Sequence, residues 1–149
     1  MTAPVVILGI GQLAAGDDGV GVVVARTLGR RGLAVRESAD ASILLALIDA
    51  GRRVVLVDAV VGGTPGTVTQ LDLDALDAGS APLSSHGLGV AEALVLARML
   101  YGARAAADVA IVGISIERPL AASFELSPAI AAAVEPAASL AARLAHRAG

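Results

Sequence analysis

The chain contains no cysteine in its 149 residues. That excludes a thiol nucleophile, thiolate metal ligands and disulfides, and leaves the compartment open. Aromatic residues are almost missing too: one Phe, one Tyr and no Trp in a chain that is 56% hydrophobic. The core must therefore be built from Val, Ile, Leu and Ala, which suits a mostly parallel sheet covered on both faces by Ala-rich helices. No charge-free apolar run reaches the roughly 18 residues of a membrane span, so no membrane insertion is expected. Met1-Thr2-Ala3-Pro4 carries no basic residue. No signal peptide is expected from it, and the cytoplasm is the expected compartment. A net charge of −3 with scattered Arg argues against a nucleic-acid surface. Two hydrolase signatures are lacking as well: H-E-x-x-H of zinc peptidases and the G-x-S-x-G serine elbow.

What remains is a chain long enough for one domain over 1–149, burying roughly 70% of its unfolded surface. Its organising stretch is Gly9-Ile10-Gly11-Gln12 through Gly16-Asp17-Asp18-Gly19-Val20-Gly21. The apolar run Val5 to Leu8 before it reads as a buried strand, and Val20 to Leu28 after it reads as a helix. The stretch is thus a strand-to-helix loop, where ligand sites of open α/β sheets lie. Asp17 and Asp18 stand where the helix opens, and either is a fitting N-cap for it. A cap needs only one carboxylate; the second calls for another role.

The pattern continues with a helix from Asp18 or Gly19 to Arg30, a short strand Leu33 to Glu37 and a helix Ala41 to Ala50. Arg53 to Asp58 reads as the third strand, with Asp58 at its carboxyl end. Thr67 to Leu73 reads as an edge strand after the turn-rich Gly62-Gly63-Thr64-Pro65-Gly66. A helix capped by Ser84 or Ser85 is expected to run to about Tyr101, followed by a strand Val109 to Ile116. Ser127-Pro128 opens the last helix, which Pro136 is expected to kink or split. This order predicts an α/β fold: a three-layer α/β/α sandwich around a mostly parallel or mixed sheet of five or six strands.

Asp17/Asp18 and Asp58 then follow strands, and His86 precedes a helix. Brought to one rim, two carboxylates and one imidazole form an O, O, N set with open positions, suited to a borderline divalent ion such as nickel or zinc. Each residue alone is more often structural, and His146 near the C-terminus is given no role. A rival reading uses the same loop: Gly9-x-Gly11-x-x-Ala14 fits a loose Rossmann-type dinucleotide fingerprint, with Glu37 as the ribose acid. Against it, two carboxylates at the helix start repel a pyrophosphate.

These residues together resemble the hydrogenase maturation proteases, which trim the C-terminus of the [NiFe]-hydrogenase large subunit. The family's G-x-G-N-x-L-x-x-D-[DE]-G-x-G is met by Gly9 through Gly21, its V-D-A by Val57-Asp58-Ala59, its P-G-T turn by Pro65-Gly66-Thr67 and its S-x-H by Ser84-Ser85-His86. Gln12 stands where the family has Asn, and Asp18 is shorter than the Glu of many members. The resemblance implies a monomeric cytoplasmic endopeptidase of α/β/α type. It assigns Asp18, Asp58 and His86 to contact a metal and Asp18 and Asp58 to the catalytic chemistry. It implies that the partner is the large-subunit precursor and that the nickel arrives with that substrate, so the isolated chain need not hold it. A nickel-checking chaperone without activity is the non-enzyme alternative.

Overall fold

In a computed structural model the chain is described over residues 5–71, 89–118 and 122–147. Strands β1 (Val5–Ile10), β2 (Val35–Ser38), β3 (Arg53–Val61), β4 (Val68–Leu71) and β5 (Val109–Ile116) form one sheet in the order β2-β1-β3-β5-β4. All neighbours are parallel except β4, which runs antiparallel to β5 at the edge. The helices are α1 (Val20–Arg30), α2 (Ile43–Asp49), α3 (Val90–Tyr101), α4 (Ala103–Asp108) and α5 (Pro128–Arg147).

The strands alternate between two apolar cores, as period-2 geometry demands. Leu8, Val54, Leu56 and Ile111 face α2 and α3, where Leu44, Ile48 and Leu94 cover them. Ile7, Val55, Val57 and Val112 face α1 and α5, where Val24, Leu28 and Ile130 cover them. The result is the expected α/β/α layering, with the mixed form of the sheet. On the α1 face the cover is unusually close. A Cβ on Gly9 would lie 2.5 Å from the Gly21 carbonyl oxygen, and one on Gly21 would lie 2.4 Å from that of Val57. Two glycines thus let α1 rest directly on the backbone of β1 and β3.

Several boundaries differ from expectation. β3 does not end at Asp58: Ala59, Val60 and Val61 continue it by pairing with Ile114, Ser115 and Ile116. α1 begins at Val20, after a separate 3-10 turn over Gly16–Gly19, and neither Asp17 nor Asp18 caps it. α3 begins at Val90 after an extended Gly89; Ser84 and Ser85, the expected caps, lie outside the described residues. Pro136 does not split α5, which runs unbroken to Arg147 and carries His146 in its last turn. Pro136 and Ala132, whose carbonyl the ring deprives of a donor, both lie on the exposed side of the helix. No helix among the described residues is long and apolar enough to cross a membrane.

Candidate functional site

The strand order reverses between β1 and β3: the chain leaves β1 for β2 on one side, then returns across β1 to β3. The crevice outside the carboxyl ends of such a strand pair is where open α/β sheets place ligands. Register puts Gly9 beside Val57, so Asp58 lies level with the end of β1 although its own strand continues. The side chain follows Val54 and Leu56 in alternation along the strand.

The loop after β1 folds back over this point. Gly11, at φ +151°, has no room for a Cβ, which would lie 2.4 Å from the Asp18 carbonyl oxygen. The 3-10 turn that follows packs against β3. It carries Asp18 into the protein, 7% exposed, near Asp58, 8% exposed. They are the buried polar or charged residues among those described. One Asp58 oxygen accepts a hydrogen bond from the Ala59 N–H at 2.8 Å. Burial nonetheless pushes the Asp58 carboxyl well above the ordinary carboxylate range. The neighbouring Asp18 charge pushes it further, and the Ala59 bond offsets this only in part. Two like charges held out of water attract whatever neutralises them, a proton or a cation. His86 lies outside the described residues. Among those described, no group of three His, Cys, Asp or Glu side chains converges.

The neighbour, Asp17, does something else. Its carboxylate accepts the Ser127 N–H at 2.7 Å and the Ser127 hydroxyl at 2.8 Å. Ser127 still occupies the N-cap position of α5, its carbonyl accepting the Ile130 and Ala131 N–H groups. The segment before it pairs with the same loop: the Gly16 N–H donates to the Ser123 carbonyl, and the Ser123 N–H to that of Ala14. Sequence reading missed this clasp. Its one local sign was the Ser-Pro start of α5, which gives no hint of a partner 110 residues away.

Beside the loop, at the ends of β1 and β2, lies a cavity of about 280 Å³ lined by Gly11, Leu13, Val22, Glu37, Ser38 and Ala39. Glu37, the acid of the dinucleotide reading, is held there by both Nε (2.8 Å) and Nη2 (3.0 Å) of Arg26. Its carboxylate is engaged, and the buried Asp18 precedes the helix end a pyrophosphate needs. Both features disfavour a dinucleotide.

Comparison with known proteins agrees with the fold and identifies its kin. The HycI hydrogenase maturation protease family matches residues 39–144. Protein FrxA of Pyrococcus furiosus is 34% identical over 126 residues, which is 80% of this chain and 92% of that protein. The [NiFe] hydrogenase maturation protease HybD from Thermococcus kodakarensis has a TM-score of 0.74 at 26% identity, over 95% of this chain and 99% of that one. The hydrogenase maturating endopeptidase HybD from E. coli has a TM-score of 0.75 over 98% and 94% of the two chains. At 21% identity that likeness concerns the fold alone.

Proposed function

The chain belongs to the hydrogenase maturation protease family, and from that premise we propose that it is an endopeptidase removing the C-terminal peptide of a nickel-loaded [NiFe]-hydrogenase large-subunit precursor. The observation that carries the reading is the buried Asp18–Asp58 pair at the β1/β3 crevice, with the Asp58 carboxyl held well above its ordinary range. A site that gathers two carboxylates out of water fits a cation that arrives with the substrate. Asp18, Asp58 and His86 are the ligands it would meet, leaving positions for ligands from the precursor itself. The cytoplasm is the compartment and a monomer the acting form.

The chemistry asked of this chain is hydrolysis: water adds to the peptide carbonyl, the C–N bond breaks, and a proton passes from water to the departing amine. A carboxylate with a raised pKa is the better proton acceptor at neutral pH, which suits Asp58. Burial keeps that carboxyl raised, and the Asp18 charge adds to it.

The test is precursor mass before and after incubation, with and without nickel loading. The loaded precursor should be shortened and the nickel-free one left whole. Equal cutting of both would refute nickel-gated recognition. Nickel-dependent association without mass loss would instead favour the chaperone. In a separate titration, the isolated protein should bind a divalent ion weakly to moderately, less well below about pH 6 as His86 protonates. Equal nickel affinity in wild type and His86→Ala would remove His86 from the ligand set.

A further inference from the structure

The two adjacent aspartates of the loop have parted company. Asp18 goes inward to Asp58, whereas Asp17 goes outward to Ser127. Both sit on one 3-10 turn, Gly16–Gly19. With three residues per turn, successive side chains point about 120° apart, so fixing the direction of one fixes that of the other. The turn is short and has to hold Asp18 inward beside Asp58. Asp17 ties it down with two hydrogen bonds to a single residue at the N-terminus of the 20-residue helix α5. The Ala15–Ser123 bridge and the Gly16-to-Ser123 bond hold the preceding residues against the same segment.

We propose that Asp17 is a positioning residue: by clasping Ser127 at the head of α5, it holds Asp18 against Asp58 in the productive geometry. It touches neither the substrate's ion nor the reacting atoms. The clasp demands geometry rather than charge. Asn at position 17 keeps an oxygen for the Ser127 N–H and turns its amide N–H toward the Ser127 hydroxyl oxygen. Ala keeps neither bond.

The experiment has two arms, and only the second rests on the peptidase reading. In the first, hydrogen exchange is followed in the free protein. Asp17→Ala should speed exchange of the amides in the Gly16–Gly19 turn about tenfold or more while α1 and β3 keep their protection. Asp17→Asn should stay near wild type. In the second, cutting of the nickel-loaded precursor is followed at varied precursor concentration. Asp17→Ala should lower kcat by about tenfold to a hundredfold with KM unchanged, and Asp17→Asn should restore most of it. Ser127→Ala, which keeps the backbone donor, should fall between, and combining it with Asp17→Ala should cost nothing further. Unchanged exchange in Asp17→Ala overturns the proposal. So does an Asp17→Asn as slow as the Ala variant, which would make the charge itself the working feature. A raised KM at constant kcat would make the clasp part of the substrate-binding surface and overturn it too. If wild type fails to cut the precursor, the functional reading falls, while the exchange arm still decides what Asp17 holds. Should Asp17→Ala not fold, the Asn and Ser127→Ala variants carry the same comparison.

Discussion

The middle of β3 and its outer third obey opposite rules. Val54, Val55, Leu56 and Val57 are all 3% exposed or less and pack into the two apolar cores under the helical layers. One residue on, Asp58 is nearly as buried, but beside another carboxylate. Covering Leu56 stabilises the fold by about 1.5–3 kcal/mol. Covering two like charges costs free energy unless something neutralises them. The same strand therefore supplies stability in its middle and gives some of it up at its rim. The difference separates what holds the molecule together from what it is built to meet.

Asp58→Asn should break the rim and spare the middle. The amide keeps the side chain's size and an oxygen for the Ala59 N–H, and it removes the anion and the proton acceptor. Cutting of the loaded precursor should fall by about a thousandfold or more, roughly 4 kcal/mol of transition-state stabilisation. Circular dichroism should remain native, and unfolding should be no easier at neutral pH. Leu56→Ala should do the reverse. It opens a cavity at a fully buried position and should lower stability by about 2–5 kcal/mol. The fraction still folded should cut at near the normal rate. If Leu56→Ala lost activity as fully as Asp58→Asn while folded, the two regions would not be separable.

Gly21→Ala probes the seam between them. Its Cβ would sit 2.4 Å from the Val57 carbonyl oxygen and 2.6 Å from that of Ile10, backbone atoms that cannot swing aside. Lifting α1 off β1 and β3 should cost about 1–3 kcal/mol in chemical denaturation. It should also slow cutting, because the site loop feeds directly into α1. Wild-type stability in this variant would mean that α1 has slack at its first turn.

The middle was far more legible in the sequence than the rim. β5 was read to the residue, Val109 to Ile116, since a mostly apolar run, broken only by Gly113 and Ser115 and bounded by Asp108 and Glu117, has one simple reading. The layering followed from strand and helix order. The end of β3 was misread because Ala59 to Val61 are strand only through pairing with Ile114 to Ile116, far along the chain. Helix α4 was not anticipated: Ala103 to Asp108 follows a helix-ending Gly102 and shows no periodicity of its own. Residues Asp18 and Asp58 were picked out by strand-end logic and family likeness. Which of Asp17 and Asp18 turns inward depends on Ser127, and no local pattern carries that. His86 lies outside the described residues.

The smallest effect expected is also the most direct reading of the rim's electrostatics. Asp58 in the folded protein holds its proton to higher pH than in the unfolded chain, first because it is buried and second because Asp18 is near. Below about pH 4, the ordinary carboxylate value, both states are protonated and the site costs nothing. As pH rises the unfolded chain ionises first, so the unfolded state binds fewer protons and wild-type stability falls. The fall should continue until the folded Asp58 ionises in turn, and then level off. Asp58→Asn has no such proton. The stability difference, variant minus wild type, measured by urea unfolding across pH, should therefore rise through this window and reach a plateau. Asp18→Asn, with Asp58 kept, should lower the upper edge of the window without closing it, since burial is the larger cause. A difference independent of pH would show Asp58 to be solvated like a surface carboxylate. An upper edge unmoved by Asp18→Asn would show that the two acids do not share one site.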